Sequence, residues 1–127
     1  MFTLRKIIGG RINVPEPEVH VAGITVTAGM ALTLSGGFLG TTAETAAPTH
    51  IALADAVSGE KVACYAVIPG TMIFDVPVSV APTGITEGSK LKLNAGGLEV
   101  TATTGGAAIV VNTNGAALKG DTIEVKF

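Results

Sequence analysis

The 127-residue sequence has no tryptophan, one cysteine, few aromatics and few charges, and each shortage closes off a class of protein. A lone Cys64 rules out an internal disulfide framework. In the run Lys61-Val-Ala-Cys64-Tyr-Ala-Val-Ile68, alternation puts that thiol on the face of Val62, Ala66 and Ile68. It therefore reads as a small buried hydrophobe, because a reactive thiolate needs an electropositive, open setting. Aromatics at 4% supply no stacking platforms for sugars or single-stranded nucleic acid. Charged residues at 14% fall well below the usual proportion of about a quarter. Hydrophobic residues at 47% exclude disorder for most of the length. Two long uncharged stretches, Val19 to Ala43 and Val100 to Leu118, are broken by glycine and threonine and alternate, so they read as hairpins and not as membrane spans. The start, Met1 to Arg11, has too short an apolar part for a secretory signal, and a soluble protein made in a cytoplasm is expected.

What is present is a recurring six-residue pattern: glycine, two variable residues, then two aliphatics one residue apart. It reads Gly29-Met-Ala-Leu32-Thr-Leu34, Gly88-Ser-Lys-Leu91-Lys-Leu93 and Gly120-Asp-Thr-Ile123-Glu-Val125, with a looser copy in Gly59-Glu-Lys-Val62-Ala-Cys64. The first two copies run on into Gly36-Gly37-Phe38 and Gly96-Gly97-Leu98. Apolar residues at i and i+2 share one face of a strand, and the glycine suits the turn that feeds it. The pattern is short and any chain of glycine hairpins produces it; that reading is preferred to an internal duplication joined near Pro82.

Strands are predicted over 2–8, 20–26, 30–34, 49–53, 61–68, 73–80, 90–93, 98–102, 107–111 and 122–127, separated by turns rich in Gly, Asn, Pro and Ser. Pro77 removes a ladder donor, which predicts an edge position for its strand. Residues 41–48 read as a longer loop. Residues 1–18 form an arm before a single β domain over 19–127: Pro15 and Pro17 restrict the connector, and residues 2–8 either stay with the arm or pair at the edge of the core sheet. The fold class is all-β, a compact small barrel or sandwich of short antiparallel strands with glycine-rich hairpins and an extended N-terminal arm.

No arrangement for chemistry is visible. The chain has no G-x-S-x-G elbow, P-loop or dinucleotide fingerprint. His20 and His50 lie far apart with no ligand at metal spacing; His20 alternates with Val19 and Val21 and is expected to point outward. Asp55, Glu87 and Asp121 read as solvated turn charges. No catalytic residue, metal or cofactor is expected, and no enzyme activity. The net charge of −2 is uneven: Arg5, Lys6 and Arg11 place +3 in the first eleven residues, leaving −5 on the rest. A basic arm on an acidic body favours an acidic partner surface. Three charges without interleaved aromatics do not argue for nucleic acid.

The stretch Ile24-Thr-Val-Thr-Ala-Gly-Met-Ala-Leu-Thr-Leu-Ser-Gly-Gly-Phe-Leu39, with Ala47-Pro-Thr-His-Ile-Ala-Leu53 after it and the ending Leu118-Lys-Gly-Asp-Thr-Ile-Glu-Val-Lys-Phe127, resembles the small head decoration, or cement, proteins of tailed bacteriophages. The likeness spans most of residues 24–127, whereas the arm is more hydrophobic than in those relatives. It implies a structural virion protein, made in the host cytoplasm, that sits on the outer capsid surface and bridges neighbouring subunits. The implied partners are the major capsid protein and further copies of itself, a trimer before a monomer. Phe2, Leu4 and Ile7 would supply apolar capsid contact, and Arg5, Lys6 and Arg11 would meet acidic capsid residues. Removing residues 1–12 would then abolish binding and leave the core folded. The alternative is a glycan- or receptor-binding β module on a virion or cell surface, which the scarcity of aromatics disfavours; a small β-domain enzyme comes third.

Overall fold

The computed structural model describes residues 1–8 and 15–127. They form eleven strands and no helix: β1 (Thr3–Ile7), β2 (Glu18–Ala22), β3 (Ala31–Ser35), β4 (Phe38–Thr41), β5 (His50–Ala52), β6 (Lys61–Ala66), β7 (Met72–Pro77), β8 (Lys90–Leu93), β9 (Val100–Thr104), β10 (Ala108–Asn112) and β11 (Thr122–Lys126). The fold is all-β, as the alternating aliphatics predict. Only β4 escapes the sequence pattern. Its one buried apolar residue is Leu39, followed by Gly40 and Thr41, too little alternation to mark a strand.

Strands β2-β4-β3-β5-β6 close into a barrel, and the others form a sheet in the order β1-β7-β11-β10-β8-β9. That sheet curls back on itself. Val78, just after β7, bridges Val100 of β9 in parallel, and the Ser79 N–H donates to the Val100 carbonyl at 2.8 Å. Strands β7 to β11 thus make a second cycle of five with the connectivity of the first. In each, the first strand meets the third in parallel and every other pairing is antiparallel.

The backbone hydrogen bonds repeat too. The Gly59 N–H donates to the Ala22 carbonyl at 2.7 Å and Gly120 to Val78 at 2.9 Å; Gly29 donates to Ala52 at 2.7 Å and Gly88 to Val110 at 2.8 Å. Gly29 and Gly88 therefore launch the second strand of each unit, and Gly59 and Gly120 the fifth. The structure has a true twofold repeat, joined between β6 and β7 and not near Pro82. This corrects the reading of the glycine pattern as a by-product of hairpins. A six-residue motif does not say which strand it precedes, and only the pairing does.

Two cores result. The barrel is filled by Ala22, Val26, Leu32, Leu39, Ala52, Ala56, Val62 and Cys64. The larger core lies inside the second unit around Phe74, Val76, Leu91, Leu93, Ile123 and Val125. Ala31 and Ile51, on the outer face of the barrel, pack against this second core, and the Ala31 N–H donates to the Gly97 carbonyl at 2.7 Å. One body results.

Two local expectations need correcting. Pro77 is not on an edge strand, since β7 lies between β1 and β11. Pairing with β1 reaches only Asp75 (Thr3↔Asp75), while the Val78 N–H turns to Asp121 on the β11 side. By alternation, the missing Pro77 donor faces the flank where β1 has already ended. Of the two readings of residues 2–8, the structure has pairing within the sheet: β1 runs antiparallel to β7. Phe2 is 2% exposed, with its ring 6.3 Å from Phe74 and 5.7 Å from Phe127.

Candidate functional site

The residues expected to contact a capsid are divided by the sheet they belong to. Phe2 is enclosed in the second core and is not available to a partner. Leu4 and Ile7 are half-buried against that core. Arg5 is 54% exposed, yet its guanidinium is held at home: Nε lies 2.7 Å from Glu124 Oε1 and NH1 3.2 Å from Asp75 Oδ2. Asp75 and Glu124 stand directly opposite one another on β7 and β11, so Arg5 offsets a like-charge pair that the sheet forces together. Lys6 is exposed. Arg11 lies outside the described residues.

These positions share one feature. Leu4, Lys6 and Ile7 border a groove of about 640 Å³ whose other wall is Ala28, Leu53 and Tyr65 of the barrel. Gly29 forms its corner. With φ at +79° the backbone accepts the Phe2 N–H at 2.8 Å, and an added Cβ would run into the Met1 side chain. Burial lowers the pKa of the Met1 amine below its ordinary value, while Glu99 pulls the other way.

A second site, which the sequence did not announce, occupies the mouth of the barrel. On β2, Glu18, His20 and Ala22 share a face, and Ala22 is fully buried in the barrel. His20 therefore turns inward while Val19 is 60% exposed, the reverse of the expected orientation. His50 and Ala52 share the inner face of β5, and Cys64 on β6 is opposite both Glu18 and Ala52. The His20 and His50 Nε2 atoms each lie 2.8 Å from Glu18 Oε2, and the rings meet edge to face at 4.9 Å. The two imidazole hydrogen bonds hold the Glu18 carboxyl below its ordinary pKa. An ionised carboxylate only accepts, so both Nε2 atoms carry the proton. In neutral His50 the Nδ1 then accepts from the Thr49 hydroxyl at 2.8 Å. Burial, with the charge of Glu18 second, pushes the Cys64 thiol up to about 11. Candidate ligand atoms of His20, His50 and Cys64 all lie within 4.8 Å of one another. Strand alternation is the one signal of this site in the sequence, and alternation alone does not say which face of β2 is inside.

No family model matches the chain, and neither does any curated protein sequence. Among solved structures it is similar to the head fiber gp8.5 N base of bacteriophage phi29, with a TM-score of 0.60 and 20% identity, over 88% of this chain and 92% of that one. The fold is shared. At that identity the likeness is one of fold and does not extend to individual side chains.

Proposed function

We propose that this protein is a structural component of a phage virion that decorates the outer surface of the head and stabilises it by bridging capsid subunits. The observation that carries this reading is the fold shared with a phage head-fiber base across nearly the whole chain. The likeness of residues 24–39, 47–53 and 118–127 to decoration proteins supports it as well. The groove beside β1 is the assigned capsid contact, with Lys6, Leu4, Ile7 and Leu53 at its margin and the outer edge of β1 free for pairing among the described residues. Phe2 and Arg5 hold that edge in place from behind. Each copy would add a modest interface, on the order of 800 Å² per partner, and repetition over a shell makes such contacts sufficient. Self-association is assigned to the outer face of the barrel, where Phe38 stands opposite Val21 and both Phe38 and Val19 are more than half exposed.

The test adds purified protein to expanded empty shells of the capsid protein encoded in its own genome, reading occupancy and shell melting temperature. Binding with a raised shell melting temperature is expected, with lower occupancy for Lys6→Glu and for Leu53→Asp. Shells that take up no protein would end the reading. Removing residues 1–12 is unsuited to this test, because it takes Phe2 out of the core and β1 off the sheet.

A further inference from the structure

We propose that Glu18, His20, His50 and Cys64 form a structural zinc site closing the mouth of the first barrel. The donors are two imidazole nitrogens, one thiolate and one carboxylate, a set that zinc takes in tetrahedral geometry. At the usual Zn–N and Zn–S lengths, tetrahedral ligand atoms of a site with one sulfur stand about 3.3–3.6 Å apart. The candidate ligand atoms of His20, His50 and Cys64 already lie within 4.8 Å of one another, so a modest contraction by side-chain rotation brings these three to that spacing. Glu18 Oε2 touches both Nε2 atoms at 2.8 Å and, being on an exposed side chain, is free to swing onto the metal as fourth ligand.

Three further features fit a metal. A thiolate and a carboxylate neutralise the dication, so no net charge is left at the barrel mouth. Thr49 orients His50 whichever nitrogen carries the proton. Its hydroxyl donates to Nδ1 now, and on ligation through Nε2 it would accept from Nδ1–H and turn its own proton to the Leu32 carbonyl, 3.4 Å away. Entry is open, since His20 and Glu18 are 27% and 47% exposed while His50 and Cys64 lie within. Coordination releases one proton, from the thiol, and moves each imidazole proton from Nε2 to Nδ1; nothing is oxidised or reduced.

The second unit supplies an internal control. By strand register, the positions of Glu18, His20, His50 and Cys64 correspond there to Phe74, Val76, Ala108 and Val125, all apolar and buried. The fold fills those positions with hydrocarbon when nothing else is required of them. Four chemically matched ligands in one copy therefore point to a ligand and not to the architecture.

The experiment strips the full chain with a chelator, then titrates it with zinc and, as a spectroscopic probe, cobalt(II). One metal per chain is expected, with a rise in melting temperature and a thiolate-to-cobalt charge-transfer band in the near ultraviolet. Cys64→Ala abolishes the band, His20→Asn weakens zinc binding by more than about 100-fold, and Thr49→Val weakens it by about 10- to 100-fold. His20 is partly exposed, so its variant is expected to fold, as circular dichroism checks. No uptake by the folded, stripped chain overturns the proposal. So does bound cobalt without the band, or unchanged affinity in folded His20→Asn.

Discussion

The two five-stranded units share one path but not one interior. At equivalent positions the first unit has Ala22, Ala52, Val62 and Cys64 where the second has Val78, Val110, Ile123 and Val125, all buried. In the first unit β2 and β4 pair over two residues and the barrel is closed. In the second, whose core also holds Phe74 and Phe127, β7 and β9 meet only at the Val78–Val100 bridge. The same path of five strands thus closes fully in one unit and by a single bridge in the other. The gap beside the first half of β7 is covered by β1, with Phe2 packing beneath it, and by Ile51 from the outer face of the first barrel. One unit is self-sufficient in its pairing, and the other is completed by its neighbours.

The most damaging way to break that contrast is Phe74→Ala, which empties the core that most depends on bulk. A loss of about 4 kcal/mol is expected in urea-unfolding experiments. Next comes removal of the clamp that only the second unit has. Arg5→Ala leaves Glu124, at 7% side-chain exposure, facing Asp75 without a cation. A cost of about 2 kcal/mol is expected, between that of an exposed ion pair and a buried one, and hydrogen exchange should rise first in β1. Converting the first unit toward the second by Ala52→Val overpacks a closed ring. It should cost about 1–2 kcal/mol by the same measurement, whereas a neutral result would show that the barrel has room to spare.

The smallest effect concerns a turn both units share. Glu60 accepts the Val57 N–H at 2.8 Å, and in the equivalent turn Asp121 accepts those of Ala117 and Leu118, each at 2.9 Å. These amides hold the Asp121 carboxyl below its ordinary pKa. Because the folded value is the lower one, its contribution is complete above the unfolded aspartate pKa and fades as pH falls through the folded value. Asp121→Asn should lower the melting temperature slightly at neutral pH, and the gap to the parent chain should close as the pH falls below the ordinary aspartate range. A gap that persists in acid would mean that the carboxylate charge is not what the turn uses.

Glycine followed by spaced aliphatics is enough to establish short strands, their approximate bounds and an all-β fold, because alternation and turn chemistry are local properties. The two-unit plan is written there as well, in four glycine corners, but the six-residue pattern alone does not separate a duplication from a run of hairpins. Whether two corners are equivalent depends on which strands they feed and which neighbours those strands have. The barrel-mouth cluster was hidden for the same reason. Glu18, His50 and Cys64 are distant in the chain, and only the register of β2, β5 and β6 brings them to one end of one ring. Phe2 and Arg5, which the resemblance to decoration proteins implies as capsid contacts, serve in the fold as a core residue and a sheet clamp, because β7 has a flank to fill. Which groups meet is set by long-range pairing, and residue types with their spacing do not encode that.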